Sequence, residues 1–481
     1  MSPLDLVVVQ PPFPVPEGAT ATLLYGADVI ESLATLPEGS VHMVATSPPF
    51  WGLRDYGTGE WEGGNDPECE HKVRLDPKTE SSTLNGGTKS TGHQQEGFRA
   101  VCPRCGARRV DEQIGLESTP DEYVARIVQV FDAVKRVLRT DGTVWLNLGD
   151  TYAGWVGPAR TGSNFGGETH QQCVGRRGSL KDQGLKEKDL VGIPWRVALA
   201  LQADGWYLRN DIVWSKGNVM PEAEKDRCTR SHEYVFLLAH PESRGRYYFD
   251  ADAIRESHRS SGTVTPWQDK EYDQTMLPES HHQEPGEHGM VKGRPKGIAG
   301  FGVGGRNKRT VWKVNPKPYR GAHFAVWPEK LVEPMVLAGT SEHGVCGSCG
   351  TPWRRVVERE GSTWSERKAD GYPLEIKGNT DALAAQSKVH VGGSVSRTVG
   401  WEPGCKCEEA GEPPQARAVV MDIFSGSATT GLVATRHGRK YIGLDLNAEY
   451  LDLAVARVEG REAPDSDGEV TIEGGSLDLF G

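Results

Sequence analysis

Short apolar runs alternate with amphipathic stretches along most of the chain. The runs predict buried strands over residues 22–25, 41–45, 143–148, 206–214, 232–238, 418–424 and 441–444. Apolar residues at helical spacing predict helices over residues 29–36, 119–138, 193–203, 328–337, from 429 onward and over 447–458. Asp141-Gly142 predicts a turn before one strand. Strands that alternate with helices indicate an α/β fold with a doubly wound, mostly parallel sheet.

This alternation is interrupted, so the chain is predicted to contain one core with insertions. The alternating pattern occupies residues 20–60, 118–255, 310–345 and 415–460. Residues 61–117 and 346–407 lack sustained periodicity and carry cysteines, and residues 255–309 are polar and irregular. Residues 462–481 are acidic, and we expect them to be disordered. A length of 481 residues exceeds that of a usual single domain, which agrees with this organisation.

Composition excludes some classes of protein. Charged residues make up 25% of the chain, and no apolar run approaches the roughly 20 residues of a membrane span. The start lacks a basic segment and is soon broken by Pro11 and Pro12, so we expect no secretory signal and a cytoplasmic location. The formal net charge is −11, yet residues 291–320 hold nine Lys or Arg and no Asp or Glu. Such a basic segment suits nucleic-acid binding on one face, and the alternative is a solvated loop.

The first candidate functional loop, Ser47-Pro48-Pro49-Phe50, follows the strand predicted over residues 41–45. The exocyclic amine of a base is a poor nucleophile, because its lone pair is delocalised into the ring. Ser47 Oγ and the Pro48 carbonyl can accept hydrogen bonds from such an amine and orient it. Pro48 and Pro49 stiffen the turn and remove backbone donors. Phe50 can stack on a base that has left the duplex, so these four residues are the predicted catalytic loop.

The second candidate loop, residues 422–431, follows the apolar run of residues 418–421. Gly426 lets the backbone turn tightly beside a ligand, and Thr429 would open the next helix with free amide groups. Asp445 follows the next strand, where an acid meets ribose hydroxyls. The loop therefore predicts a site for a nucleotide-like cofactor. A dinucleotide-binding fold would use the same logic, but the loop is not Gly-x-Gly-x-x-Gly.

Together, and in this order, the two loops resemble those of amino-methyltransferases that act on DNA bases. Residues 47–50 are similar to the (Asp/Asn/Ser)-Pro-Pro-(Tyr/Phe/Trp) signature of the N4-cytosine and N6-adenine enzymes. Residues 422–430 resemble their S-adenosylmethionine loop, Asp-Pro-Phe-x-Gly-Ser-Gly-Thr-Thr, with departures at Ile423 and Ala428. A catalytic loop that precedes the cofactor loop is typical of the beta class. The resemblance covers most of residues 20–60, 118–255 and 310–460.

The resemblance also implies which residues hold S-adenosylmethionine. Those on the methionine side would be Asp422, Phe424, Gly426 and Thr429, with Ser427 in the same loop and Asp445 on the ribose. Asp28 matches an acidic position near the adenine, and the alternative is an ordinary helix cap. Residues 321–331 resemble the family's His-x-Ala-x-(Phe/Trp)-Pro segment, which implies that Phe324 and Pro328 line the cofactor pocket.

The family implies a Rossmann-like methyltransferase that acts on a flipped base of double-stranded DNA. Serine at position 47 is more typical of cytosine-N4 than of adenine-N6 enzymes. Residues 255–309 would recognise the target, and any cognate restriction endonuclease would be another chain of the same bacterium or phage. Residues 214–216 and 231–234 resemble segments that shape the base pocket, although His232 and Tyr234 also suit a core. Some of Trp51, Arg54, Asp55 and Tyr56 are expected to contact DNA.

Three other functions remain open at this point. The chemistry of an amino-methyltransferase also suits RNA or a protein glutamine as the substrate. A non-enzymatic alternative is a zinc-stabilised nucleic-acid-binding protein, which would bind no cofactor. The long polar insertions and the basic segment favour duplex DNA over these alternatives.

Most of the nine cysteines fall in two groups that suit structural zinc. The first group is Cys69, His71, Cys102 and Cys105, and the second is Cys346, Cys349, Cys405 and Cys407. Each supplies two pairs of soft ligands, as a tetrahedral Zn²⁺ site requires. Disulfides or a redox pair are the alternatives, and His343 could replace Cys407. Cys173 and Cys228 are expected to be packing residues.

Overall fold

The computed structural model describes residues 5–9, 19–52, 59–66, 68–69, 101–102, 104–111, 113–153, 184–219, 221–222, 224–256, 306–316, 326–360, 395–407 and 415–461. Several residues singled out above lie outside these ranges: Arg54, Asp55, Tyr56, His71, Cys173 and Phe324. So do most of residues 255–309 and the whole of 462–481. None of the helices within the described ranges is long and apolar enough to cross a membrane.

The strands have the following bounds in chain order: β1 Asp5–Val9, β2 Ala21–Tyr25, β3 Val41–Thr46, β4 Glu60–Glu62, β5 Arg108–Val110, β6 Leu138–Leu148, β7 Tyr207–Ser215, β8 His232–Ala239, β9 Val311–Lys313, β10 Val345–Cys346, β11 Arg354–Glu360, β12 Val395–Glu402, β13 Gln415–Ala416, β14 Val419–Asp422 and β15 Lys440–Asp445. The helices are α1 Val29–Ala34, α2 Pro120–Val137, α3 Ile193–Ala203, α4 Glu329–Gly339, α5 Thr429–Arg436 and α6 Leu451–Val458.

One large sheet dominates the fold, with the strand order β1-β2-β15-β14-β3-β6-β8-β7-β9. Strands β2, β15, β14, β3 and β6 run parallel to one another. Strand β8 is antiparallel to both β6 and β7, and β1 is antiparallel to β2 at one edge. The predicted α/β fold with a mostly parallel sheet is therefore confirmed.

The direction of winding reverses between β3 and β14. The chain leaves β14 through α5 to β15 on one side, whereas it leaves β3 through α2 to β6 on the other. The two strands are adjacent, with Val420 opposite Met43 and Met421 opposite Val44. Ligands of open α/β sheets bind at the carboxyl ends of the strands at such a reversal, so the fold itself singles out the ends of β3 and β14.

Helices cover both faces of the sheet. Helices α1, α2 and α3 pack together on one face, and α4, α5 and α6 pack on the other. Helix α2 begins with a capping box, in which Thr119 Oγ1 accepts from the Glu122 backbone N–H and the Glu122 side chain accepts from that of Thr119. Its apolar face, which includes Tyr123 and Phe131, is fully buried against the sheet.

The turn predicted at Asp141-Gly142 is wrong, because β6 runs without interruption from Leu138 to Leu148. The pairing with β3 shifts register in this stretch, so that extra residues of β6 are accommodated within the strand. A Cβ on Gly142 would lie 2.7 Å from the Leu138 side chain and 2.9 Å from the His42 carbonyl oxygen. The glycine therefore serves a close approach inside the sheet instead of a turn.

The chain divides into two compact units. The first comprises residues 1–249, 310–352 and 405–481 and contains the large sheet, whereas the second comprises 250–309 and 353–404. In the second unit, β11 and β12 pair as an antiparallel two-stranded sheet. Arg355 lies over the Trp401 ring and forms an ion pair with Asp250 at 2.9 Å.

Candidate active site

The two candidate loops meet at the reversal between β3 and β14. Thr46 Oγ1 donates to Asp422 Oδ1 over 2.7 Å, which joins residues 376 positions apart. Asp422 also accepts from Thr430 Oγ1 at 2.7 Å and from the Phe424 backbone N–H at 3.2 Å. Burial raises the pKa of Asp422 to about 6, although these hydrogen bonds oppose the shift. The Asp422 carboxyl thus binds the start of both loops, and a contact with the cofactor remains a prediction.

The cofactor loop turns at Gly426, which has a φ of +51° and open space where a Cβ would lie. Its N–H donates to Asp445 Oδ2 over 2.7 Å, and Asp445 Oδ1 accepts from the Asn447 N–H over 3.0 Å. Burial raises the pKa of Asp445 to about 6. Each carboxylate oxygen has two lone pairs, so both retain a site for a ligand hydroxyl. An open glycine turn beside a carboxyl with free acceptors fits the ribose of S-adenosylmethionine.

Two buried tyrosines, Tyr25 and Tyr441, contact this loop through hydrogen bonds. Sequence patterns did not indicate this role. The Tyr25 hydroxyl lies 2.8 Å from Ser425 Oγ and donates to the Gly426 carbonyl over 2.7 Å. Ser425 Oγ lies 2.8 Å from the Tyr441 hydroxyl. A Cβ on Gly443 would lie only 2.7 Å from Ser425 Oγ, so this close packing requires glycine there.

The remaining residues of the loop lead into α5. Ala428 adopts a left-handed conformation with a φ of +55°, at the position where the family loop carries glycine. Ser427 Oγ accepts from Arg457 over 2.9 Å, and Thr429 is buried as the first residue of α5. Pro328 is buried immediately before α4, which packs against α5. Their contacts with a cofactor remain predictions.

The catalytic loop is connected to β6 through Ser47, whose hydroxyl donates to Asn147 Oδ1 over 3.0 Å. Asn147 is 1% exposed, and its Nδ2 donates to Glu233 Oε2 at 3.2 Å and to the Tyr234 carbonyl at 3.0 Å. Glu233 in turn contacts Lys216 in an ion pair. Asn147 was not among the predicted residues; the only sequence signal is a polar residue inside an apolar strand.

The two prolines and Phe50 are held by different neighbours. Pro48 is buried, and the Pro49 carbonyl accepts from the Tyr123 hydroxyl over 3.0 Å. A Cβ on Gly149 would lie 2.5 Å from the Phe50 ring, so the half-buried ring rests directly on that glycine. Neighbouring protein groups therefore position each part of the loop.

Comparison with known proteins agrees with these two loops. The family model for DNA methylases of the N6 and N4 type matches residues 41–347 and 412–456. The chain is 31% identical to the type II methyltransferase M.Cfr9I of Citrobacter freundii, over 92% of this chain and 89% of that protein. It is 36% identical to the type II methyltransferase M.SfiI of Streptomyces fimbriatus, over 89% of each.

The chain belongs to the DNA methylase family.

The expected enzyme class, an S-adenosylmethionine-dependent DNA methyltransferase, is thereby confirmed, as is the resemblance to the amino-methyltransferases. Among solved structures, the PvuII DNA methyltransferase, described as cytosine-N4-specific, has a TM-score of 0.41 at 14% identity, over 94% of this chain and 89% of that chain. TTHA0409 of Thermus thermophilus, complexed with S-adenosyl-L-methionine, has a TM-score of 0.35 at 16% identity, over 91% and 95%.

Asp28 of this DNA methylase caps a helix, as the alternative interpretation stated. Its Oδ1 accepts from the Ile30 N–H at 2.8 Å at the start of α1, and its Oδ2 forms an ion pair with Arg126 at 3.0 Å. The side chain also lines a cavity of about 560 Å³ together with Glu117, whose pKa burial raises. A position of Asp28 near the adenine remains a prediction.

The residues expected around the target base occupy the start of β8 and its surroundings. The Tyr234 ring stacks on Phe236 at 5.7 Å, and the Trp195 and His232 rings meet it edge-on. Tyr234 is half-buried, so it both packs on the core and leaves part of its ring accessible. Trp51 belongs to the core and donates its indole N–H to the Glu117 carbonyl over 3.0 Å.

The cysteines gather in two clusters. The Sγ atoms of Cys346, Cys349, Cys405 and Cys407 all lie within 4.8 Å of one another, and so do those of Cys69, Cys102 and Cys105. All cysteines in the described ranges are free thiols, which does not support disulfides. Cys228 is exposed, so the expectation that it packs in the core is wrong. Four thiols at such spacing suit tetrahedral zinc with Zn–S bonds of about 2.3 Å.

The four-cysteine cluster lies against the amino ends of β3 and β14. His42 Nε2 lies 2.9 Å from the Gly350 carbonyl, while its Nδ1 accepts from the Val419 N–H over 3.0 Å. Arg139 donates to the Cys349 carbonyl over 2.8 Å. Burial and the Arg139 charge lower the pKa of His42 to about 4. Both ring nitrogens are thus committed to backbone groups, which ties the cluster to the sheet.

Proposed function

We propose that this DNA methylase transfers the methyl group of S-adenosylmethionine to N4 of a cytosine flipped out of double-stranded DNA. The observation that carries the proposal is the hydrogen bond between Thr46 and Asp422, because it brings a Ser-Pro-Pro-Phe loop and a cofactor loop to the same edge of the sheet. Serine at position 47 favours cytosine N4, and adenine N6 is the alternative target.

The cofactor supplies an electrophilic methyl group, and the chain's own residues orient the nucleophile. Ser47 gives its hydroxyl hydrogen to Asn147, so its oxygen lone pairs remain for an N–H of the target amine. The Pro48 carbonyl would accept from the second N–H. These acceptors favour a tetrahedral nitrogen with its lone pair directed at the methyl group. The N–C bond would form as the bond between sulfur and the methyl carbon breaks, S-adenosylhomocysteine would leave, and the nitrogen would release one proton to solvent. Rate enhancement then comes from orientation and electrostatics rather than from a strong base.

The residues that we propose for cofactor binding lie at the carboxyl ends of β14 and β15. Asp445 would accept from the ribose hydroxyls, and the open turn at Gly426 lets the ligand approach the backbone. The methionine portion would be lined by Phe424, Ser427 and Thr429. Asp422, committed to Thr46, Thr430 and Phe424, acts by holding the loop in place.

A flipped base must recover part of the cost of leaving the stack, a few kcal/mol. Phe50 presents an aromatic ring at the catalytic loop, and Tyr234 and Trp195 add further rings at the start of β8. Stacking on such rings contributes about 1–3 kcal/mol per base. Residues 255–309 remain our proposal for the target-recognition region.

We also propose that the cysteine clusters bind two structural zinc ions. Cys346, Cys349, Cys405 and Cys407 complete one tetrathiolate site, whereas Cys69, Cys102 and Cys105 supply three ligands of the other, with His71 as the proposed fourth. With every position filled by protein, neither ion would take part in the reaction. Because relatives are named type II methyltransferases, a cognate endonuclease on another chain is part of the proposal.

The target atom is tested by expressing the protein in a host that lacks DNA methylation and sequencing its DNA for modified bases. N4-methylcytosine within one short motif is the expected result. N6-methyladenine would replace the proposed target with the alternative one, and an absence of any new mark in the presence of soluble enzyme would refute the activity.

Ser47 is tested by Ser47→Ala. We expect turnover to fall by about 100-fold, as for loss of one transition-state hydrogen bond, with an unchanged dissociation constant for S-adenosylmethionine. Ser40→Ala is the matched control, because the Ser40 hydroxyl only bonds the Pro37 carbonyl in an exposed turn. Full turnover of the Ser47→Ala variant would show that Ser47 has no role in the reaction.

A further inference from the structure

A buried polar chain runs behind the catalytic loop across neighbouring strands. It begins at Ser47 after β3, passes through Asn147 in β6 and Glu233 in β8, and ends at Lys216 after β7. Lys216 also lies 4.1 Å from the centre of the Trp214 ring. Both charged side chains are less than a fifth exposed, so this ion pair is largely removed from water.

The orientation of the Asn147 amide decides what Ser47 offers to a substrate. With Oδ1 towards Ser47, the hydroxyl donates and its lone pairs face outward. With Nδ2 towards Ser47, the serine oxygen accepts, and its hydrogen is free to point at the target amine. A hydrogen that points at the N–H groups of the base has the wrong polarity for the reaction, and only one lone pair of the serine oxygen would remain as an acceptor.

Two acceptors that bind the Nδ2 end of Asn147, away from Ser47, fix the orientation of the amide. Asn147 Nδ2 lies 3.2 Å from Glu233 Oε2 and 3.0 Å from the Tyr234 carbonyl. An ionised carboxylate and a backbone carbonyl can only accept, so a flipped amide would place its oxygen against two acceptors. The hydrogen bond to the carboxylate is the charge-assisted one of the two.

We infer that Glu233, with Lys216 as its counter-ion, is a positioning residue that orients the Asn147 amide and thereby makes Ser47 an acceptor for the target amine. Glu233 acts two hydrogen bonds away from the substrate. The inference rests on the proposed function, and it adds a set of residues that the two loop motifs do not contain.

The decisive test exchanges the amide group and the carboxyl group between positions 147 and 233. Glu233→Gln can turn its amide either way, so that only the Tyr234 carbonyl is left to orient the Asn147 amide, and Asn147→Asp places two carboxylates against each other. We expect each single variant to lose about tenfold in kcat, as for residues of one hydrogen-bond network. KM for DNA and the dissociation constant for S-adenosylmethionine should stay unchanged, because Asn147 is 1% exposed and the Glu233 side chain less than a fifth exposed.

The double variant Glu233→Gln/Asn147→Asp should recover most of the lost kcat. The introduced glutamine can then donate to the introduced aspartate, whose other oxygen accepts from Ser47, so the original polarity returns with the same total charge. Recovery is expected to be incomplete because the Tyr234 carbonyl loses its donor. A double variant no better than the product of the two single losses would overturn the inference.

Glu222→Gln is the control, because Glu222 forms a partly buried ion pair with Arg227 and lies outside the network of Ser47, Asn147, Glu233 and Lys216. If Glu233→Gln does not fold, Glu233→Asp keeps the charge for Lys216 and withdraws the carboxylate from Asn147. A drop of about threefold or more in kcat at unchanged KM is then expected. An unchanged kcat in Glu233→Asp would overturn the inference.

Two outcomes separate this inference from the proposed function. If Ser47→Ala loses turnover and the Glu233 variants do not, the inference fails and the proposed function stands. If the wild-type enzyme leaves no methylated base in DNA, the proposed function fails before the variants are compared.

Discussion

Strands β3 and β14 lie side by side, and their two ends are built for different purposes. At the carboxyl ends, Thr46 and Asp422 join the two functional loops. At the amino ends, His42 joins β14 to the loop of the four-cysteine cluster. The same pair of strands is therefore fixed by a buried polar contact at each end.

The two contacts differ in what they leave available. His42 has one bond on each ring nitrogen, to the Gly350 carbonyl and the Val419 N–H, and therefore no capacity for a ligand. Asp445, beside the other end, accepts one backbone N–H on each oxygen and still has lone pairs free. The comparison teaches that burial alone does not mark a functional site. A functional site is marked by unused hydrogen-bonding capacity beside a loop.

The largest effect is expected at the amino ends. Cys405→Ser/Cys407→Ser should lower the zinc content by one ion and the free energy of unfolding by more than about 4 kcal/mol, since loss of a structural metal is among the most damaging changes. The measurements are metal analysis of the purified protein and urea unfolding. Cys228→Ser, at an exposed thiol outside both clusters, is the control. Unaltered zinc content in the double variant would contradict the tetrathiolate site.

A smaller loss of stability, joined to a loss of binding, is expected at the carboxyl ends. Asp422→Ala removes the acceptor of Thr46 Oγ1, Thr430 Oγ1 and the Phe424 N–H, and buried donors without partners cost about 1–3 kcal/mol each. We expect urea unfolding to show a loss of about 3 kcal/mol and calorimetry to show weakened binding of S-adenosylmethionine.

Asp132→Ala is the control for this change, because the Asp132 carboxylate is 55% exposed in a surface ion pair with Lys135. It should change stability by less than about 1 kcal/mol. A loss in Asp422→Ala no greater than in this control would show that the contact between β3 and β14 is dispensable.

Gly149→Ala should separate the catalytic loop from the cofactor loop. The new methyl group would lie 2.5 Å from the Phe50 ring and must displace it. We expect steady-state kinetics to show a kcat lowered by about tenfold or more, since a misplacement of about 1 Å at the reacting centre can cost about 100-fold. Cofactor affinity should be unchanged. Gly400→Ala, where an added Cβ has open space, is the control, and equal behaviour of the two variants would show that Phe50 is not held there.

The smallest effect is a pH dependence at Asp445. Burial raises its pKa from 3.8 to about 6, so the folded protein keeps a proton between these values that the unfolded chain releases. This carboxyl therefore stabilises the fold below pH 3.8 and loses that contribution as the pH rises through about 6. Asp422 has a pKa raised in the same direction, so Asp445→Asn should remove only part of this slope in unfolding measurements.

Cofactor binding should depend on pH in the opposite sense. Ribose hydroxyls donate to the ionised carboxylate of Asp445, so calorimetry should show affinity for S-adenosylmethionine falling as the pH drops below about 6. The dependence should be weaker in Asp445→Asn. The same slope in wild type and variant would assign the effect to another group.

Local patterns in the sequence determined much of the fold. Apolar periodicity predicted the parallel strands and most helices, and the Thr119–Glu122 capping box marked the start of α2. The motifs at residues 47–50 and 422–430 indicated the family, since each lies where a strand meets a loop. The domain limits and the roles of the site residues remain predictions. These signals are readable because each depends on neighbours a few residues apart.

Only the tertiary structure decided which distant side chains complete the site. The contact of Thr46 with Asp422 and the support of the cofactor loop by Tyr25 join residues hundreds of positions apart. Asn147 is an unremarkable polar residue until β3, β6 and β8 become neighbours. A one-dimensional pattern fixes which face of a strand is apolar, whereas strand order and register determine which buried polar atoms find partners.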